Sequence, residues 1–174
     1  MPAAEAPLGS TRLTEAVARY LFKLMAYKDE YEVARLHTDK SFLDKIAQQF
    51  EGDYKLNYHL APPMSAPRNE KGELQKRAFG PWMLTAFRVL AGLKGLRGTA
   101  LDPFGRTEER KMERALIGQY KDSIEELLAS LSAARLPQAI EIARIPEEIR
   151  GYGHVKERHL AAARPKWERL MAAW

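Results

Sequence analysis

The amino-acid sequence predicts a mainly α fold: a single helical domain of about five to six helices, with a small β strand or hairpin near residues 54–79. Three observations predict it. Apolar residues recur every three or four positions over most of the chain, as one face of a helix requires. One short segment instead alternates strictly, as a half-buried strand does. Glycine and proline stand at the seams between these segments. With 174 residues, 45% of them hydrophobic and 29% charged, the chain is long and apolar enough for one compact core.

Met1 to Gly9 is rich in alanine and proline and reads as a frayed leader, so residues 1–10 are set apart from a domain spanning 11–174. Thr11 is the expected N-cap of the first helix, with Glu15 near the positive end of its dipole. Leu13, Val17, Tyr20, Leu21 and Leu24 give that helix its apolar face, and the pattern extends through Tyr27, Tyr31 and Leu36. A second start signal stands at Thr38-Asp39. Phe42, Leu43, Ile46 and Phe50 then form one face, and Gly52 ends it.

Tyr54, Leu56, Tyr58 and Leu60 alternate with Lys55, Asn57 and His59, which predicts a strand; Pro62-Pro63 stops it. Residues 62–78 read as a polar surface loop with a small hairpin around Lys71-Gly72. Gly80-Pro81 opens the next helix, with Trp82, Leu84, Phe87, Val89 and Leu90 as its apolar contacts. Gly92, Gly95 and Gly98 break that pattern, and Asp102-Pro103-Phe104-Gly105 reads as a turn.

Thr107, followed by Glu108-Glu109, caps the longest amphipathic run, which carries Met112, Leu116, Tyr120, Ile124, Leu127 and Leu131. A shorter helix follows Pro137 with Ile140, Ile142 and Ile145, and Pro146 starts a turn. The last helix begins near His154 and carries Val155, Leu160, Trp167, Leu170 and Met171. Pro165 inside it is expected to kink or divide it. There is no internal repeat and no obvious linker.

Composition excludes some chemistry. Without cysteine there is no disulfide, no cysteine nucleophile and no cysteine-held zinc or iron–sulfur cluster. The apolar runs are too short to span a bilayer, and the absence of disulfides suits the expected cytoplasmic location. The net charge of +5 and a pI near 9.4 favour acidic partners in general: nucleic acid, phosphates or an acidic protein.

The candidate sites are each weighed against a plain structural role. The Gly92–Gly98 stretch with Lys94 and Arg97 can cradle a phosphate, yet fits neither the P-loop nor the dinucleotide fingerprint; a structural loop is favoured. His37, His59, His154 and His159 include no pair at the i,i+4 spacing of a helical metal site. Residues 27–32 are dense in mixed charge, which i,i+3 and i,i+4 surface pairs such as Lys28–Glu32 and Glu32–Arg35 explain. Arg106, Arg110 and Arg114 fall on one side if Arg106 just precedes the helix, a basic face diluted by Glu108, Glu109 and Glu113. Candidate interaction residues are therefore Lys28, Arg35, Arg106, Arg110, Arg114, His154 and Lys156; no catalytic, cofactor or metal residue is assigned.

Four strings carry a family resemblance: LTEAVARYLFKLMAYKDEYEVARLHTD (13–39), FEGDYKLNYHLAPP (50–63), FGPWMLTAFRVLAGLKGLRGTALDPFG (79–105) and RIPEEIRGYGHVKERHL (144–160). Together they resemble the C-terminal domain of bacterial fused indolepyruvate ferredoxin oxidoreductases and related 2-oxoacid:acceptor oxidoreductases. The resemblance implies a parent enzyme that oxidatively decarboxylates aryl-2-oxoacids to acyl-coenzyme A and passes electrons to ferredoxin. It implies thiamine diphosphate, magnesium, iron–sulfur clusters and coenzyme A in that parent, and further helices before Leu13 in a full-length protein.

None of the family's catalytic motifs stands in this sequence. "EGDYKLNYH" only echoes a thiamine diphosphate loop, so no cofactor is assigned to this chain. The expected role is a non-catalytic structural or interaction domain. Its partners would be the catalytic portion of the parent, ferredoxin, or a second copy of the chain. Alternatives are a docking module for acidic ferredoxin or coenzyme A through the basic residues, a nucleic-acid-binding protein resting on the pI alone, and an independent enzyme using His154, Lys156 or Glu157.

Overall fold

The structure, a computed structural model, describes residues 1–27, 29–61, 66–67 and 75–174. The expected hairpin around Lys71-Gly72 lies outside the described residues, as does Lys28. The fold is mainly α, with one small antiparallel sheet. It divides into two compact units, one built from residues 1–27 and 107–174, the other from residues 28–106.

The first unit contains α1 (Pro2–Glu5), α2 (Arg12–Met25), α6 (Glu108–Ala129), α7 (Leu136–Arg144) and α8 (His154–Ala172). α2 packs on α6 and α7, and α7 on α8. Leu13, Val17, Tyr20 and Leu24 of α2 meet Leu116, Tyr120, Ile124 and Leu127 of α6, as their spacing predicts, and Trp167 of α8 joins them. The Tyr120 hydroxyl donates to the Ala143 carbonyl at 2.8 Å, so this phenol is buried without an orphaned donor.

The start of the chain is not a frayed leader in this structure. Pro2–Glu5 is helical and the Glu5 carboxylate is fully buried. It accepts the Leu13 and Thr14 backbone N–H groups at 2.8 and 2.7 Å and the Thr14 hydroxyl at 2.7 Å. Two of the N–H groups that open α2 are thus capped by a residue eight positions upstream. Thr11 stands at the N-cap position, but its hydroxyl bonds to the Glu15 side chain instead of the backbone. Pro165 does not divide α8, which runs unbroken through it.

The second unit contains α3 (Glu30–Thr38), α4 (Lys40–Ala47), β1 (Tyr58–Leu60), β2 (Arg77–Phe79) and α5 (Met83–Gly92). The first apolar pattern does not continue as one helix from α2 through Leu36. α2 ends at Met25, and Asp29 starts α3 by accepting the Glu32 N–H at 2.8 Å. Asp39 caps α4 through the Ser41 N–H. The expected strand 54–60 is ordered as β only over Tyr58–Leu60, because its partner β2 is three residues long. Tyr58 faces Phe79, His59 faces Ala78 and Leu60 faces Arg77.

α3 packs on α5, and the core here is Ala34, Tyr58, Met83 and Phe87. The apolar face expected of Phe42, Leu43, Ile46 and Phe50 is only partly covered by the described residues: Leu43 and Ile46 are half-buried, and the Phe42 ring meets His37 edge-on at 5.8 Å. α4 buries no residue, and Phe50 lies beyond its end and is 54% exposed. Trp82 and Val89, expected as contacts of α5, are also exposed.

Candidate functional site

In the first unit α6 and α8 bring three charges together in the interior. Arg110 and Glu113 stand three residues apart on α6 and share a face. The Glu113 carboxylate pairs with the Arg110 guanidinium on one oxygen and accepts the Lys156 ammonium at 2.9 Å on the other. All three side chains are buried. Arg110 also lies over the Tyr27 ring, 5.5 Å from its centroid, and Glu109 accepts the Gly153 N–H at the start of α8. Taking these charges out of water is costly, and the carboxylate offsets that by serving both cations. The cluster therefore fastens α8 to α6.

A surface groove of about 450 Å³ in the same unit is lined by residues that include Ile140, Arg144, Glu147, Arg150 and Lys166. The Tyr20 hydroxyl donates to Glu147 at 2.8 Å, and the Lys23 ammonium donates to the Pro146 carbonyl at 2.7 Å. Burial pushes the Tyr20 phenol up and the Lys23 ammonium down; the Tyr20 and Arg144 hydrogen bonds hold Glu147 below the usual carboxylate range. Acidic and basic walls alternate, so the groove favours neither charge sign.

In the second unit the glycine-containing loop after α5 is held from within. Arg97 pairs with the buried Asp29 carboxylate through two contacts of 2.9 and 2.5 Å. The buried Asp102 carboxylate accepts the N–H groups of Gly98, Phe104 and Gly105 and the Tyr31 hydroxyl, at 2.8 to 3.2 Å. Burial raises its pKa, and those four donors outweigh burial and hold it low. Gly98 has φ of +74°, a left-handed conformation that suits glycine, and a Cβ on Gly105 would collide with the Asp102 carboxylate. The glycines serve the loop's own closure, and Arg97 faces a carboxylate rather than an open phosphate cradle.

The second unit also carries an apolar groove of about 580 Å³. Leu43 of α4, Leu56, Tyr58 and, at the start of α5, Pro81 and Leu84 form its walls. Tyr54 and Lys55 complete it. Tyr54 is paired with the exposed Phe50 ring, 5.6 Å between centroids, and Trp82 stands next to Pro81, 61% exposed. Behind the groove, His37 stacks on Phe87 at 5.0 Å and meets Tyr58 edge-on at 5.4 Å. Burial pushes His37 below the ordinary histidine value.

Of the seven sequence-predicted interaction residues, Arg35 and Arg106 belong to the second unit and Arg110, Arg114, His154 and Lys156 to the first. Lys28 lies outside the described residues. Arg35 is an exposed partner of Glu32, bidentate at 2.9 and 2.7 Å, the surface pairing expected. Arg106 is exposed and donates to the Ala100 carbonyl. Arg114 and His154 are exposed, His154 as the first residue of α8. Arg110 and Lys156 are brought together, but in the interior, so the basic face expected of Arg106, Arg110 and Arg114 loses its central member to an internal ion pair.

Among the described residues no group of three or more His, Cys, Asp or Glu side chains can hold a metal ion, and no helix is long and apolar enough to cross a membrane. Sequence reasoning missed Glu5, Asp102 and the groove. No spacing signalled the last, because Phe50, Tyr54 and Trp82 each fit an expected apolar face.

Residues 2–169 match the model of a family described as a family of unknown function, DUF6537. No curated protein and no solved structure matches the chain.

Proposed function

The chain belongs to the DUF6537 family, and from that premise we propose that it is a non-catalytic interaction domain of a thiamine-dependent 2-oxoacid:ferredoxin oxidoreductase of the indolepyruvate kind. The resemblance of residues 13–39, 50–63, 79–105 and 144–160 supports the choice of parent enzyme. One observation carries the interaction role. The second unit leaves Phe42, Phe50, Tyr54, Trp82, Val89 and Leu93 exposed and carries an apolar groove walled by Leu43, Tyr54, Leu56, Tyr58, Pro81 and Leu84. Large apolar patches on a protein surface mark places where something else binds.

In this reading thiamine diphosphate, magnesium, the iron–sulfur clusters and coenzyme A belong to the catalytic portion of the parent, in the cytoplasm, and this chain packs against that portion. The test is light scattering coupled to size exclusion, on the chain mixed with a catalytic portion that lacks it. A stoichiometric complex is expected. Two independently eluting species at micromolar concentration would contradict the reading.

A further inference from the structure

Charge is distributed unevenly along this chain. Residues 54–106 hold nine Lys and Arg and only three Asp and Glu, a net charge of +6 against +5 for the whole chain. The remaining residues therefore sum to −1. Asp44, Glu51 and Asp53 lie just outside that stretch, and the whole second unit holds thirteen Lys and Arg against ten Asp and Glu, +3 against +2 for the first unit, so the positive charge bears on the groove through particular residues.

Lys55 is itself a groove wall. Arg88 follows the wall residue Leu84 by one helical turn on α5 and acts electrostatically on the Tyr58 phenol, which is another wall. Lys76 and Arg77 are exposed at β2, and Lys94 just after α5. None of these five cations forms an ion pair with any described residue, unlike Arg35, Lys40 and Arg97 of the same unit. Lys55 in the groove wall and Arg88 beside Tyr58 set two requirements on an occupant: apolar side chains for the groove and negative charge for the rim.

We infer that the groove between α4 and α5 docks an acidic protein segment, whose apolar side chains fill the Leu43–Leu56–Leu84 walls while its carboxylates face Lys55 and Arg88. The inference rests on the reading of the chain as an interaction domain and names the chemistry of that partner. The apolar contacts supply affinity by burial, and the charges supply orientation and a fast, salt-sensitive approach.

The test needs no knowledge of the parent enzyme. Two synthetic helical peptides of about 20 residues carry Leu and Trp at i, i+3, i+4 and i+7, with Glu at the other positions in one and Lys in its twin. Fluorescence anisotropy measures their binding to the full chain at low and high salt. The acidic peptide is expected to bind at least about tenfold tighter than its twin and to weaken about tenfold in high salt.

Lys55→Glu combined with Arg88→Glu should reverse the preference, and Trp82→Ser should weaken both peptides. The same reversal at Lys111 and Arg164 in the first unit should change nothing. Those substituted side chains are all exposed, and an unchanged circular dichroism spectrum verifies that the fold survives. Equal binding of the twins, or no binding of either, overturns the inference. So does concentration-dependent dimerisation abolished by Trp82→Ser, which assigns the groove to a second copy. Tighter binding to phosphatidylglycerol vesicles through the same residues overturns it in favour of a lipid surface. Success with the acidic peptide but no complex with the catalytic portion would leave the inference standing and remove the parent assignment alone.

Discussion

Among the described residues eighteen buried side chains of the first unit join one core, whereas the core of the second holds four, Ala34, Tyr58, Met83 and Phe87. The two differ in their charges as well. The first buries Arg110, Glu113 and Lys156 with their partners supplied, while the second buries carboxylates at Asp29 and Asp102 and leaves its excess cations on the surface. Each large apolar side chain removed from water stabilises by about 1.5–3 kcal/mol, so the second unit gains less from its interior. What it does not bury it displays, as the exposed Phe42 of α4 and the Trp82 end of α5 show. A region of modest core and large exposed apolar surface fits binding better than scaffolding.

Substitutions at matched positions sharpen this contrast. Glu113→Ala should have the largest effect, a loss of about 3–5 kcal/mol, because it strands Arg110 and Lys156 in the interior. Urea unfolding followed by tryptophan fluorescence measures it. Replacing all three charges with apolar residues of similar size should restore most of the loss. If Glu113→Ala proves neutral, the cluster is solvated and the first unit is looser than described.

In the second unit Asp102→Ala removes the acceptor of three backbone N–H groups and the Tyr31 hydroxyl, and should cost about 2–4 kcal/mol. Its signature is local: faster hydrogen exchange over residues 93–106, with α6 and α8 unchanged. Glu5→Gln should cost about 1–2 kcal/mol, read as a lower thermal midpoint, since α2 loses a charged cap but keeps an acceptor.

Acid should also separate the units. The His37 ring is held neutral by burial, so only the unfolded chain takes up its proton as pH falls below about 6.5. Its contribution is present above that pH and is lost as pH falls toward the lower folded value. Burial acts to raise the Glu5 pKa, but the Leu13 and Thr14 hydrogen bonds prevail and lower it, so its contribution is full above about 4.5 and is lost as pH falls from there through the depressed value. Amide exchange at successively lower pH should therefore show the second unit opening first, and His37→Gln should flatten that step. The smallest effect belongs to Trp82→Ser and Phe50→Ser, within about 0.5 kcal/mol, because both side chains are exposed. A larger loss would mean that they are part of the core.

The long helix α6 was legible because Thr107 and the run from Met112 to Leu127 agree on its start and on its buried face. Periodicity could not reveal that Arg110 and Glu113 share the interior, since a buried ion needs a partner and that partner, Lys156, is 43 residues away. The start of α2 misled for a similar reason. Thr11 has the composition of a cap, but the buried carboxylate of Glu5 is the stronger acceptor and takes its place. The pattern in α4 correctly gave a helix and an apolar side; it carried no information on whether anything in the chain covers that side. The mixed-charge reading of Glu32 and Arg35 held because i,i+3 neighbours on a helix meet wherever the helix is placed.

The most direct test of the central claim is hydrogen exchange on the full chain, alone and mixed with the catalytic portion of the parent oxidoreductase. Binding through the second unit predicts slowed exchange over residues 40–60 and 77–94, with residues 108–172 unchanged. Protection confined to residues 108–172, or none in either unit, would contradict it.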